Sequence, residues 1–345
     1  MYNFFAYIRT KKYYLKIINK QQKRLTYFLK FDKFDLRVRF LHCATSPTRK
    51  TSTVASNKGA QEMKLPDNLE IFAGQQHYIE NFDFNKFFNH YKTLSYEGQR
   101  GFIESFDIST NPEWLQLKRG YLGASTAHDF LSDSQKVSAL KRTNAWAEMS
   151  TADKKAKLAE IPLEERLGES CKKLAYRVLA ERRTSWTEPE PTWAEKTSIK
   201  RGLIFEKPAV EIYKKIEGLT DENLADVLFI RNGDLMGFSP DKLVLNGDKR
   251  IVLEIKNFEA PAFYKAVADA EKPETIEQVQ WQIHVGNLNR VDVLYCSQED
   301  GTYKLVRYGR GIEYMNALSI REEEFREYLT ILENKIKSEV IDINL

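Results

Sequence analysis

Glu254 and Lys256 stand two residues apart in RIVLEIKNF, residues 250–258, a stretch otherwise suited to the inside of a sheet. At the period of two of a strand, Ile251, Leu253 and Ile255 face one way and Val252, Glu254 and Lys256 the other. An acid and an ammonium placed on a packed strand are costly unless they are paired or meet a metal. The plain alternative is a structural ion pair, since an acid two residues before a lysine is a common triplet. Three other such triplets occur, at 62–64, 153–155 and 333–335, all in polar or helix-like stretches. Only this one lies in an apolar strand. Thirteen residues upstream, GFSPDKLV places Asp241 after Pro240, whose ring and missing N–H favour a bend where a strand begins. DKLVLNGDKRIVLEIK then reads as a hairpin turning at Asn246-Gly247, which brings Asp241 and Glu254 together on adjacent strands. Two carboxylates at one end of neighbouring strands suit a hard cation, Mg²⁺ or Mn²⁺. Lys256 beside them can orient or deprotonate a water and offset phosphate charge.

Two further polar positions fall on apolar helix faces. Glu206, in RGLIFEKPAVEIY, shares a face with Ala209, Val210 and Tyr213, and offers a third carboxylate. Stabilisation of a helix N-terminus is the competing explanation. Gln278 and Gln282 lie one turn apart in IEQVQWQIHV, where a solvent-facing polar stripe is the competing explanation.

The elements that must hold these groups follow from periodicity. Residues 75–200 are mostly helical, with apolar positions at three- and four-residue intervals in 95–106, 150–161 and 162–183. Gly120 and Gly123 lead to Ser125 in a loop able to cap a helix starting near Ala127. Residues 199–219 form a helix closing at Gly218. Three short strands follow, at 225–231, 235–247 and 250–256, with Asn-Gly turns at 232–233 and 246–247. Then come a helix at 276–287, a hairpin around Asp300-Gly301, and a long amphipathic helix from 314. This order predicts an α/β fold of the α+β kind: a central mixed sheet with helices on both sides.

The chain of 345 residues has room for one large or two ordinary domains. No stretch approaches the ~20 apolar residues of a membrane span. Cysteines 43, 171 and 296 are too scattered for a disulfide framework, a zinc site or an iron–sulfur cluster, and a reducing compartment is the default. His77, His90, His128 and His284 show no zinc-ligand spacing. A Walker-type phosphate loop is missing, so ATP use is not expected. Trp114, Trp186 and Trp193 can stack on DNA ends, although packing is the better explanation for them. Residues 1–62 carry fourteen Lys/Arg and three acids, a net of +11, which leaves the remaining 283 residues at −7. A DNA site in that acidic body must be a local basic patch or must use metal ions. The first 62 residues read as a basic arm, an organelle transit peptide, or an extension preceding a true start at Met63, the last being the leading reading.

Four motifs occur in a set order: Gly202 to Glu206 on a helix, Ser239-Pro240-Asp241, Leu253-Glu254-Ile255-Lys256, and QVQWQ from Gln278 on a helix. WLQLKRGYLGAS, residues 114–125, precedes them. The ordered set over roughly residues 112–315 resembles the PD-(D/E)XK nucleases, and within them the lambda-exonuclease and YqaJ-like viral recombinase family. The resemblance implies a restriction-endonuclease-like core over 112–345 with a helical insertion at about 135–195, after a helical segment at 63–111 and the extension at 1–62. It implies Glu206, Asp241, Glu254 and the carbonyl of Ile255 as ligands of two Mg²⁺ or Mn²⁺ ions. Lys256 would position the attacking water, with Gln278 beside it in the polar network. Ser125 and a basic residue, Lys118 by ungapped position or else Arg119, would contact the substrate's 5′ phosphate. The activity implied is processive 5′-to-3′ digestion of one strand from double-stranded DNA ends. It leaves a 3′ overhang for a single-strand annealing protein, and a homo-oligomer, commonly a trimer, encloses the DNA. The setting implied is phage recombination in the cytoplasm of a bacterial host, or an organelle matrix if the leader is a transit peptide. An endonuclease of restriction or defence with the same fold, and a non-catalytic DNA-end-binding protein, are the alternatives.

Overall fold

The computed structural model describes residues 26–32, 35–41, 69–79, 84–186, 193–246, 249–268, 272–297 and 301–339. Most of the 1–62 extension, the turn at 247–248 and Asp300 lie outside the described residues.

The sheet that carries the candidate site has five strands, in the order Tyr303–Gly309, Arg290–Ser297, Lys249–Phe258, Lys242–Asn246 and Leu224–Ala225. Lys249–Phe258 runs parallel to Arg290–Ser297, and the other pairs are antiparallel, so the sheet is mixed as expected. Two parallel neighbours need a crossover. Here the helices Ala260–Ala268 and Pro273–Gly286 supply it.

Alternation along the Glu254 strand divides the core as the sequence requires. Ile251 and Leu253 pack with Val244, Leu294 and Cys296 against Ala209, Val210 and Tyr213 of the long helix Trp193–Glu217. That helix ends at Gly218, whose φ of +65° is a left-handed stop. On the other face Val252, Val291, Val293 and Tyr295 join the main core with Val279, Trp281, Ile283 and Val285 of Pro273–Gly286. The helices Glu169–Arg183 and Ile312–Glu339 complete that core.

Two departures from the sequence reading have local causes. The segment 235–247, read as one strand, is two: Met236–Phe238 and Lys242–Asn246. They belong to different sheets, the first pairing with Val227–Asn232. Pro240 lies between them, and a residue with no N–H cannot continue a ladder. The Val227–Asn232 strand pairs in turn with Leu69–Ala73, which also meets the hairpin Thr26–Asp32 and Asp35–Leu41. The helix read over 162–183 is interrupted at Gly168, giving Leu163–Arg166 and Glu169–Arg183.

The strand leading toward the site is closely packed at Gly237. The Gly237 N–H donates to the Leu122 carbonyl at 2.9 Å, and its own carbonyl accepts from the Trp281 indole at 3.0 Å. A Cβ placed there would lie 2.2 Å from Cζ of Phe229. Gly237→Ala is therefore expected to lower stability by about 1–3 kcal/mol through overpacking, read as a lower urea midpoint at unchanged slope. An unchanged midpoint would show that Phe229 yields freely.

Candidate active site

Asp241 immediately precedes the Lys242–Asn246 strand. The hairpin register pairs Lys242 with Leu253, so one more step sets Asp241 opposite Glu254. Directly opposed residues of an antiparallel pair share a face. The Asp241 carboxylate extends the ladder where the backbone has ended: Oδ2 accepts the Ile255 N–H at 2.5 Å. Burial raises the pKa of Asp241 well above the usual carboxylate range, and the negative charges of Glu254 and Glu206 raise it further. Three carboxylates therefore act on one another at the end of this hairpin.

Glu254 is 8% exposed and both of its oxygens are engaged. Oε1 accepts from Lys256 Nζ at 2.7 Å and from Gln278 Nε2 at 3.1 Å. Oε2 accepts from Gln282 Nε2 at 2.9 Å. Residues i and i+4 share a helix face, so Pro273–Gly286 presents both amides to one carboxylate. Gln282, only 1% exposed, is no solvent-facing stripe. Burial opposes the charge on Lys256, but Glu254 and Asp241 outweigh it and raise its pKa, leaving an ammonium at neutral pH.

Glu206 lies on the Trp193–Glu217 helix, on the opposite side of the hairpin from Glu254. Its Oε1 meets Lys242 Nζ at 2.5 Å, and the same ammonium is 2.8 Å from Asp226 Oδ1. Burial alone would lower the Lys242 pKa, yet the two carboxylates raise it. Lys242 and Asp226 were not singled out in the sequence. The available signal was the lysine directly after Asp241, which strand alternation turns toward the long helix.

Glu206, Asp241, Lys242 and Asp226 line a cleft of about 770 Å³, together with Ile255 and Asn257 of the Glu254 strand. Glu211 and Asp221 also line it, making five carboxylates against two lysines, Lys207 and Lys242. A phosphodiester entering this cleft needs positive charge from elsewhere. Carboxylates and a strand carbonyl are the oxygen donors a hard divalent cation takes, and the charges of Glu254 and Glu206 add to burial in raising the pKa of Asp241. The donor set fits such an ion in type and charge. Among the described residues no three Asp, Glu, His or Cys side chains close into a ready metal cage, in keeping with Glu206 being drawn to Lys242.

The 5′-phosphate candidates lie on the N-terminal side of this centre. Arg119 is committed to the Glu169–Arg183 helix: Nε donates to the Glu181 carbonyl at 2.8 Å, and Nη2 to the Thr184 carbonyl. Lys118 instead stands 4.5 Å over the ring of Trp114. Trp114 donates its indole N–H to Ser239 Oγ at 2.7 Å, two residues before Asp241. Trp114 therefore packs, as expected, and also links Lys118 to the Ser-Pro-Asp segment. Ser125 is exposed in the 3-10 turn Ala124–Thr126, which packs on the Pro273–Gly286 helix. Trp186 is exposed, and the side chain of Trp193 lies outside the described residues. His128 pairs with Glu277 at 2.7 Å, and the rings of His77 and Trp114 meet edge-on with centroids 4.9 Å apart.

The YqaJ-like viral recombinase domain model matches residues 113–289, a span that contains every candidate site residue named above. Among solved structures, the chain is similar to an alkaline exonuclease from Laribacter hongkongensis, LHK-Exo, at 19% identity and a TM-score of 0.45. That match covers 67% of this chain and 100% of the other. The same enzyme in complex with dAMP matches with a TM-score of 0.46. A phage related exonuclease from Haemophilus somnus 129PT is similar at 12% identity and a TM-score of 0.41, covering 64% of this chain and 98% of the other. No curated protein matches. With just over half of its length matched by the family model, the chain belongs to the YqaJ-like viral recombinase domain family.

Proposed function

We propose that this protein is a divalent-metal-dependent exonuclease that degrades one strand of double-stranded DNA from its 5′ end, leaving 3′ overhangs. The observation that carries the reading is the hairpin end itself. There Asp241 is bonded to the Ile255 N–H, while Glu254 is gripped by Lys256, Gln278 and Gln282. Family membership supports nuclease chemistry. The polarity, the duplex preference and the overhang rest on the resemblance of the motif set.

Asp241, Glu254 and the Ile255 carbonyl would hold Mg²⁺ or Mn²⁺. When bound, such an ion acidifies water and offsets charge on the scissile phosphate. Lys256, held as an ammonium beside Glu254, donates hydrogen bonds that orient the attacking water and meet a phosphate oxygen. Gln278 and Gln282 fix the Glu254 rotamer, so the carboxylate need not reorganise during the reaction. Lys118 and Ser125 would receive the 5′ phosphate, Lys118 as a point charge without the fork of an arginine. The nuclease domain would span 112–345, with 135–195 as a helical insertion. A ring-like homo-oligomer, an annealing partner for the overhang and a bacterial cytoplasmic setting belong to the same proposal. None of the helices among the described residues is long and apolar enough to cross a membrane.

Linear duplex DNA labelled at one 5′-phosphorylated end is expected to lose nucleotides from that end with Mg²⁺ and to stay intact with EDTA. Glu254→Gln and Lys256→Ala, each checked for folding, are expected to slow this by about 10²-fold or more. Cutting of closed circles would identify an endonuclease instead. DNA binding without cleavage across several divalent metals would leave a binding module. Lys118→Ala is expected to slow digestion of 5′-phosphorylated ends more than of 5′-hydroxyl ends. Arg119→Ala is expected mainly to cost about 1 kcal/mol of stability, seen in denaturant unfolding. The reverse pattern would exchange the two roles.

A further inference from the structure

In the motif that runs from Gly202 to Glu206, the glycine has no part in the site described above. It lies inside the helix Trp193–Glu217, where glycine weakens a helix more than any residue except proline. Packing does not call for it: a Cβ built on Gly202 meets no atom of the described residues within 4 Å. The backbone does not call for it either, since Gly202 is not among the glycines with positive φ. Its carbonyl accepts from Asn257 Nδ2 at 3.2 Å, which ties this turn to the residue after Lys256. The bare position faces the cleft, which it lines together with Ile199, Leu203 and Glu206. Residues three and four apart share a helix face, so these four form one wall. The wall changes character along the helix. Ile199, 37% exposed, and Leu203 make the upstream turn apolar, and Glu206 makes the next turn acidic. Apolar carbon offers a phosphate nothing, but it suits the carbon face of a deoxyribose. A missing side chain lets such a ligand come close to the backbone.

We propose that Gly202 is a clearance position for substrate: a deoxyribose of the cut strand, next to the scissile phosphate, packs on the bare Cα of Gly202 and on Ile199, one turn from Glu206. This rests on the nuclease reading above. The sugar takes the apolar turn of the wall, and its phosphate is left to the acidic end of the cleft, where cations meet it. A side chain at position 202 would take the sugar's place without touching the rest of the protein.

Gly202→Ala and Gly202→Leu separate this role from a structural one, because alanine and leucine are better helix formers than glycine and the space is open. Both are expected to raise the urea midpoint of the full chain. Over the same substitutions kcat/KM for linear duplex DNA in Mg²⁺ is expected to fall, several-fold for alanine and about tenfold or more for leucine. Mn²⁺ affinity, measured calorimetrically without DNA, is expected to stay at the wild-type value, which separates the effect from Glu206. Gly101→Ala is the control. Gly101, in Tyr96–Glu104, has equally open surroundings but does not line the cleft, so its midpoint is expected to rise with kcat/KM unchanged. An unchanged kcat/KM in the leucine variant, or a fall that follows a loss of Mn²⁺ affinity, would overturn the proposal and leave the nuclease reading standing. A lowered midpoint or failure to fold in either Gly202 variant would also overturn it, by showing that the space is not free. Wild type that leaves linear duplex intact across several divalent metals would overturn the nuclease reading, and this proposal with it.

Discussion

The hydrogen bond from the Ile255 N–H to the Asp241 carboxylate holds the functional end of the molecule together. It closes a hairpin whose backbone pairing stops at Lys242 and Leu253. It ties the end of the Ser-Pro-Asp turn directly to the strand that carries Glu254 and Lys256. Its cost is evident in the electrostatics: a buried carboxylate facing Glu254 and Glu206 is held in a state its surroundings disfavour. Everything nearby offsets that cost. Lys256 and two glutamine amides engage Glu254, and Lys242 engages Glu206. Polar networks of this kind are stable only when nearly every member is satisfied. The glutamine helix meets the hairpin at Glu254, and the long helix meets it at Lys242.

The same arithmetic shapes what the cleft can accept. Five carboxylates and two lysines line it, so a nucleic-acid phosphate is repelled unless cations intervene. The net negative charge of the body outside residues 1–62 is then no argument against DNA. It suits the divalent-ion reading proposed above. Lys118 lies outside the acidic cleft and is linked to the Ser-Pro-Asp segment through Trp114 and Ser239.

Much of the site was legible because strand periodicity is short and strict. Alternation alone placed Glu254 and Lys256 together, and the Asn-Gly turn with twelve intervening residues placed Asp241 opposite Glu254. What escaped were contacts set by packing between elements distant in sequence. Asp226 lies in a connection ahead of a strand, and nothing in its neighbours says that it meets Lys242. Gln282 looked equally suited to solvent, since a helix shows which residues share a face but not what lies opposite it. The choice between Lys118 and Arg119 was open in the sequence because both are basic; only the carbonyls of Glu181 and Thr184 show where Arg119 is committed. The break of one expected strand into two sheets at Pro240 was foreseeable as a bend, but the change of sheet depended on where Val227–Asn232 lay.

The central claim is that the Asp241–Glu254–Lys256 hairpin end is a divalent-metal centre. The most direct measurement is the anomalous scattering of Mn²⁺ in crystals of the protein. The account requires an anomalous peak within coordinating distance of Asp241, Glu254 and the Ile255 carbonyl, at about 2.0–2.6 Å as for oxygen ligands of hard cations, with Lys256 beside it. Mn²⁺ bound elsewhere, with Glu254 still gripped by Lys256 and both glutamines, would contradict it and leave these residues as a buried structural network.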